Sequence, residues 1–160
     1  MKVIFLDVDG VLNCRYSTAR IHGCLGIDPV LVDRLSHIVS ETGAKVVLTS
    51  TWKLDWKPYS NICELNAFGQ YMVNSLLDRN IEIIDKTTEK DMSLRGEGIL
   101  DWLNSHPDVD SFVILDDELF DYRKCKLLPY VVKSRFYTED GGLTEEHVEQ
   151  AIKILNKENI

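Results

Sequence analysis

Acidic residues cluster at two places in the chain where a short apolar run ends. The first run leads into Asp7 and Asp9. A later run leads into Asp116 and Asp117, with Asp121 close behind. Carboxylates that converge in one crevice repel one another and raise one another's pKa values, and a divalent cation relieves that repulsion. Because a small all-oxygen ligand set suits Mg²⁺, the spacing predicts a magnesium site whose aspartates can also act as nucleophile and as acid or base.

Hydroxyl and cationic side chains accompany the other predicted strand ends. Thr49 and Ser50 follow a Val-Val-Leu run, and Arg95 opens the helix that precedes the strand ending at Asp116. A hydroxyl and a cation aimed at the same phosphoryl oxygens stabilise the charge that is spread over them. Together with the carboxylates, these residue types predict chemistry on a phosphoryl group.

The elements that position these residues alternate between the strand period and the helix period. This alternation predicts βαβ units and therefore an α/β fold, a Rossmann-like three-layer sandwich with a mostly parallel sheet. In such sheets ligands bind at the carboxyl ends of the strands, where the clusters above stand. The predicted strands are 2–7, 45–48, 81–84, 111–115 and 130–133, and the predicted helices are 29–42, 66–79, 93–104 and 144–157.

The length and the net charge of the chain limit the classes of protein to which it can belong. The 160 residues correspond to about one domain, so we expect a single domain over 1–160. A net charge of -8 argues against a coat on nucleic acid or on an anionic membrane. No apolar run approaches the ~20 residues that span a bilayer. Four scattered cysteines without zinc-ligand spacing predict reduced thiols, and with no signal-peptide pattern we expect a cytoplasmic protein.

The four clusters in this order resemble the haloacid dehalogenase (HAD) superfamily of phosphotransferases. A single D-x-D motif is common, but four motifs in chain order, each at a predicted strand end, are specific. The closer similarity is to small HAD domains of phage and bacterial proteins, some of them associated with nucleic-acid repair. The segments that carry the resemblance are Asp7-x-Asp9-Gly10-Val11, Thr49-Ser50, Arg95-Gly96 and Ile114-Leu115-Asp116-Asp117.

The resemblance implies a role for each carboxylate. Asp7 corresponds to the nucleophile that takes the phosphoryl group, and Asp9 to the general acid and base. Asp7, the Asp9 backbone carbonyl and Asp117 correspond to ligands of Mg²⁺. Asp116 stands beside Asp117 as a further metal residue, and Asp121 is a supporting residue.

The resemblance also implies a hydroxyl and a cation at the phosphoryl group, and the sequence leaves alternatives for both. Thr49 is the expected hydroxyl, and Ser50 replaces it if the strand ends one residue later. Arg95 is the expected cation, while Lys90 and Lys53 are alternatives that the spacing permits.

Two further stretches bear on the substrate. Trp52-Lys53-x-x-Trp56-Lys57 interleaves aromatic rings with cations, as surfaces that stack nucleobases do; a loop anchored by buried tryptophans is the alternative. Residues 122–135 hold five cations and no acid, which suits either a bound polyanion or a solvated helix face. The predicted substrate-binding residues are Gly10, Ser50, Trp52 and Lys53.

HAD enzymes usually set their specificity with a cap domain, and the gaps 13–28 and 51–63 are too short for one. We therefore expect minimal or no cap and an open site, which suits a large substrate that covers the crevice itself. The sequence predicts a Mg²⁺-dependent phosphomonoesterase that works through an aspartyl-phosphate on a nucleotide or a nucleic-acid phosphate end. The alternatives are a phosphatase of a sugar or metabolite phosphate or of a phosphoprotein, and a non-catalytic module that binds phosphate ends.

Overall fold

The structure is a computed structural model that describes residues 1–158. Strands and helices alternate along most of the chain, as the sequence predicts. Short 3₁₀ helices occupy Thr51–Asp55, Ile62–Glu64 and Leu128–Tyr130. The main elements are β1 (Lys2–Leu6), β2 (Arg20–Ile21), β3 (Cys24–Leu25), α1 (Pro29–Thr42), β4 (Lys45–Leu48), α2 (Ala67–Leu77), β5 (Ile83–Lys86), α3 (Arg95–Ser105), β6 (Ser111–Asp116), β7 (Val131–Lys133) and α4 (Glu145–Leu155).

Five strands form one parallel sheet in the order β5-β4-β1-β6-β7. The central strand β1 pairs with both β4 and β6, so that Leu6 lies opposite Leu48 and Leu115. Strands covered on both faces lack polar alternation, which explains the continuous apolar runs. The backbone stays paired beyond the strand, since the Asp7 amide donates to the Leu115 carbonyl at 2.9 Å. The residues after β1, β4 and β6 therefore meet at one edge of the sheet.

Helices cover both faces of the sheet, which confirms the predicted three-layer α/β sandwich. One core packs buried side chains of α1, α2 and α4 against the sheet. The other packs Ile99 and Trp102 of α3 with Tyr122 and Leu127 against the opposite face. The Phe5 ring meets the Trp102 ring edge-on at 5.5 Å between centroids, an arrangement that adds to the stabilisation from burial.

The helix ends follow the signals in the sequence. The Asp28 side chain accepts a hydrogen bond from the Val30 amide, and Gly43 ends α1 in the left-handed conformation with φ +67°. The Thr144 hydroxyl caps α4 by accepting from the His147 amide.

Two details differ from the sequence prediction. The third strand of the sheet lies at Ile83–Lys86 rather than 81–84, because Ile81 is buried in the core and its amide bonds to the Leu76 carbonyl at the end of α2. The segment 13–28 contains a ribbon of two antiparallel two-residue strands, β2 and β3. Within residues 1–158, no helix has the length and apolarity that a bilayer crossing requires.

Candidate active site

Asp7 lies at the end of the central strand and is nearly inaccessible to solvent. Its side chain is 5% exposed, and its Oδ1 lies 3.0 Å from Nη1 of Arg95. Arg95 is the first residue of α3, and its guanidinium also contacts Asp116 at 2.9 Å. One buried cation therefore bridges the carboxylates at the ends of two neighbouring strands.

Asp117 completes a cluster of three carboxylates. Asp7, Asp116 and Asp117 each offer an oxygen, and these oxygens lie within 4.8 Å of one another. The turn after Asp9 allows this approach, because Gly10 adopts φ +80° and a Cβ there would lie 2.3 Å from Cγ of Asp117. With all three ionised, one Arg95 cation leaves the cluster net negative. This all-oxygen donor set fits a hard divalent cation.

The pKa values of the cluster follow from its burial. Burial and the neighbouring Asp116 raise the pKa of Asp7 to about 7, while Arg95 and the Ser50 hydroxyl act in the opposite direction. Burial and Asp116 also raise the pKa of Asp117 to about 6. A bound cation would favour the ionised forms of all these groups.

Asp116 is the most thoroughly bonded carboxylate of the cluster. Its Oδ2 accepts hydrogen bonds from Arg95 at 2.9 Å and from the Tyr122 hydroxyl at 2.7 Å. Its Oδ1 accepts one from the Glu118 amide at 2.9 Å. Burial nevertheless raises the pKa of Asp116. These three hydrogen bonds fix the orientation of the Asp116 carboxylate, which in turn orients the Arg95 guanidinium.

Asp9 is held on both of its oxygens, away from the buried cluster. The Asn13 amide group donates to Oδ1 at 2.8 Å, and the Trp52 indole donates to Oδ2 at 3.0 Å. Asn13 also accepts from the Gly10 amide at 3.0 Å and donates to the Gly26 carbonyl at 2.9 Å. Asn13 thus ties the turn after β1 to the ribbon β2–β3.

Of the three candidate cations, the structure brings Arg95 to Asp7 and places the two lysines elsewhere. The Lys53 ammonium is buried, where it pairs with Glu89 and donates to the Thr87 hydroxyl at 3.0 Å. Burial lowers the pKa of Lys53, although Glu89 opposes that shift. Lys90 is exposed.

The hydroxyls after β4 lie in three different environments. Thr49 is fully buried, and its Oγ1 has no hydrogen-bond partner among the described residues. Ser50 caps the following 3₁₀ helix and accepts from the Trp52 amide at 3.3 Å. Thr51, which the sequence reading left out, is exposed and lines the cleft described below.

Asp121 lies outside the acidic cluster and serves α3 instead. Its carboxylate accepts from the Gly96 amide at 2.6 Å and from the Glu97 amide at 3.1 Å. The residue before the helix, Leu94, offers no side-chain cap. Asp121 therefore bonds the free amides at the start of α3 from a distant part of the sequence, and so helps to hold the first turn, which carries Arg95.

The carboxylates open onto a depression that we call the acidic cleft, with a volume of about 220 Å³. Two cations of segment 122–135 lie in different surroundings. Lys124 pairs with Glu97 at 2.8 Å, whereas Lys133 is close enough to lower the pKa of Asp117 in part. The lining residues are Asp7, Asp9, Thr51, Arg95, Asp117, Glu118, Phe120, Phe136 and Tyr137.

Several residues of the site carry no signal that sequence reasoning used. Tyr122 and Glu89 are partners that become visible only once α3 and β5 are packed. Asn13 stands three residues after Gly10, and a polar residue directly after Val11 and Leu12 is the one signal in the sequence that could have indicated it. Phe120 was also missed, although its ring lies 4.2 Å below the Arg95 guanidinium.

A parallel sheet whose central strand ends in an Asp-x-Asp pair with a buried first aspartate, and whose neighbouring strand β6 ends in a second acidic pair, defines an α/β protein of the HAD type. The comparison with family models agrees: the model described as the HAD domain in Swiss Army Knife RNA repair proteins matches residues 3–148, and the chain belongs to that family. Membership supports a phosphatase-type function. No curated protein matched the chain.

Proposed function

We propose that the protein is a Mg²⁺-dependent phosphomonoesterase that removes a terminal phosphate from a nucleotide or an RNA end. The observation that carries this proposal is the arrangement around Asp7: a buried carboxylate at a strand end, 3.0 Å from Arg95 and inside a three-carboxylate cluster. The remaining groups that the chemistry needs lie around the same cleft.

In the first step an Asp7 carboxylate oxygen attacks phosphorus, and the bond from phosphorus to the leaving oxygen breaks. Asp9 gives its proton to that oxygen, so the leaving group departs as an alcohol. Arg95 stabilises the negative charge on the phosphoryl oxygens during transfer. The product of this step is an aspartyl-phosphate on Asp7.

In the second step water attacks phosphorus while Asp9 takes a proton from it. The bond from Asp7 to phosphorus breaks, and inorganic phosphate leaves with the Asp7 carboxylate restored. Each proton therefore moves through Asp9 alone. The bonds from Asn13 and Trp52 hold Asp9 in place for both transfers.

Asp7 and Asp117 would hold the magnesium ion, with the Asp9 backbone carbonyl as a further ligand. When bound, the ion supplies positive charge to the phosphoryl oxygens and keeps the nearby carboxylates ionised. Burial raises the pKa of Asp7 and of Asp117, and a bound cation would oppose that shift.

The proposed substrate rests on three supports. The first is the description of the matching family, a HAD domain found in RNA repair proteins. Between β1 and α1 the described chain holds only the two-residue strands β2 and β3 and no folded cap, so we expect the cleft to admit a large substrate. Exposed Lys133 and Arg135 lie on the segment that leads to the cleft residue Phe136, where they can meet a nucleic-acid backbone.

The test measures phosphate release from 3′- and 5′-phosphorylated RNA oligonucleotides, nucleotides, sugar phosphates and a phosphopeptide, with Mg²⁺ and with EDTA. We expect Mg²⁺-dependent release from an RNA end or a nucleotide, and none from Asp7→Asn. Tyr16→Ala, a truncation of an exposed side chain outside the cleft, is the matched control for folding and is expected to retain activity.

Release that survives Asp7→Asn would contradict the aspartyl-phosphate mechanism. A preference for sugar phosphates or the phosphopeptide would overturn the substrate. Tight binding of RNA ends without any release would identify a binding module instead. Formation of a beryllofluoride complex on wild type and not on Asp7→Asn would test the nucleophile independently of the substrate.

A further inference from the structure

A groove of about 340 Å³ continues the acidic cleft on the far side of Asp9. The two depressions share Asp9 and Thr51, so they form one continuous surface. The groove walls come from the ribbon β2–β3, from the 3₁₀ helix Thr51–Asp55 and from the first turn of α2. Of the residues that line this groove, the steps proposed above use Asp9 and Trp52 and leave the others without a role.

The chemistry of the groove is aromatic and acidic. Trp52 and Phe68 are half-buried and meet edge-on, with ring centroids 6.3 Å apart, and Leu25 adds apolar surface beside them. Asp55 stands at the groove, and its Oδ1 is held by the Asn66 side chain at 2.6 Å. Among the described residues that line the groove, none is lysine or arginine. Such a surface suits an uncharged ring with hydrogen-bond donors and repels a second phosphate.

The position of Asp9 decides what enters the groove. The group that protonates a leaving oxygen must lie within hydrogen-bond reach of it. On the proposed mechanism the leaving oxygen lies beside Asp9, and the rest of the leaving group needs space that Asp7 and Arg95 do not line. The groove is the depression that begins there.

Resting on the proposed function, we infer that this groove binds the nucleoside that carries the scissile phosphate and so sets the leaving-group specificity. The nucleobase stacks against Phe68, and Trp52 forms the adjoining wall while it holds Asp9. The Asp55 carboxylate accepts a hydrogen bond from an exocyclic amino group, as carboxylates do with N4 of cytosine. Phe68 and Asp55 are the specificity-determining residues.

One test compares kcat/KM for cytidine monophosphate with kcat/KM for glycerol phosphate, which has no ring. Base stacking on an aromatic side chain is worth about 5- to 150-fold in affinity. We expect Phe68→Ala to lower kcat/KM for the nucleotide by that factor and to leave glycerol phosphate within about twofold. Phe68→Leu keeps apolar volume without the ring, and its kcat/KM for the nucleotide is expected to lie between the values of wild type and Phe68→Ala. Leu54→Ala, an exposed truncation on the 3₁₀ helix that forms another groove wall, is the control and is expected to change neither value.

A second comparison addresses the amino group. Cytidine and uridine monophosphates differ at the C4 substituent, which is a donor in the first and an acceptor in the second. We expect wild type to favour cytidine monophosphate by about fivefold or more. Asp55→Asn, which can donate to the uracil oxygen, is expected to remove or reverse that preference.

Binding of unphosphorylated cytidine separates this inference from the proposed function. The chain has three tryptophans, so the Trp52 indole resonance can be assigned in a ¹H–¹⁵N spectrum from its loss in Trp52→Phe. We expect cytidine to shift that resonance in wild type and to require at least about tenfold more nucleoside in Phe68→Ala.

A shift without any phosphatase activity would leave the groove assignment intact and reject the proposed function. Phosphatase activity with no shift would overturn the groove assignment, as would an equal loss of activity on both phosphates in Phe68→Ala.

Discussion

Asp7→Asn is expected to stabilise the metal-free protein at alkaline pH while it abolishes activity. Burial and Asp116 raise the pKa of Asp7 from its ordinary 3.8 to about 7. Because the folded pKa lies above the unfolded one, the stabilisation from protonated Asp7 is complete below about pH 4. It is lost as the pH rises to about 7, and above that pH the folded chain carries a costly buried charge.

The size of the effect follows from the two pKa values. At 1.36 kcal/mol per pH unit, the difference between 3.8 and about 7 corresponds to about 4 kcal/mol of unfolding free energy at pH 8.5. At pH 5, where Asp7 of the folded chain is still protonated, the unfolding free energy is about 2 kcal/mol lower than it is below pH 4. Asparagine keeps the shape without the charge, so Asp7→Asn regains these amounts. The gain at pH 8.5 corresponds to about 10 °C in Tm for a chain of this length.

The assay is urea and thermal unfolding of wild type and Asp7→Asn in EDTA at pH 5 and pH 8.5. Mg²⁺ at pH 8.5 is expected to stabilise wild type, because the ion neutralises the same cluster. The difference in unfolding free energy between wild type and Asp7→Asn should therefore become smaller. Asp9→Asn is the matched control and is expected to bring no gain, since Asp9 lies outside the buried cluster and both of its oxygens accept hydrogen bonds. Equal stability of wild type and Asp7→Asn at pH 8.5, or the same gain at both pH values, would refute this reasoning.

Three other substitutions test the supports of the cluster. Gly10→Ala puts a Cβ 2.3 Å from Cγ of Asp117, so magnesium affinity by calorimetry should fall about tenfold or more, and an unchanged affinity would contradict the proposed ion site. Tyr122→Phe removes the 2.7 Å bond to Asp116 and should lower the unfolding free energy in urea by about 1–3 kcal/mol. Arg95→Met leaves Asp116 without its cation and should cost about 3–5 kcal/mol in the same assay at pH 8, so a stability equal to wild type would argue against the ion pair.

The fold was predictable wherever periodicity was strong. The apolar run 2–7 predicted β1 to within one residue of its observed end at Leu6, and the caps at Asp28 and Gly43 predicted α1 with the observed bounds. The two-residue strands β2 and β3 were missed because segments that short show no period. The third strand was placed two residues early because Ile81 is apolar through core packing and not through pairing in the sheet.

For the site, the strand-end rule placed the acidic clusters together, since residues after neighbouring parallel strands share one edge. The rule does not choose among cations. Arg95, Lys53 and Lys90 are alike in sequence, and the difference between the first two arises from partners, because Glu89 pairs with Lys53 while Asp7 and Asp116 pair with Arg95. Such partners come from distant segments, and spacing along the chain does not reveal them.

The hydrogen bonds from Asp121 to the start of α3 limit the anion binding that this helix end can offer. A helix that begins beside a phosphate commonly offers its free amides and the positive end of its dipole to that phosphate. Here the Gly96 and Glu97 amides are already taken by a carboxylate of the chain itself. Under the proposed function, the phosphate would then be met by the Arg95 side chain and by the divalent ion rather than by these two amides. We therefore expect phosphate binding to weaken at high salt or on removal of the ion, because the Gly96 and Glu97 amides are not available to compensate.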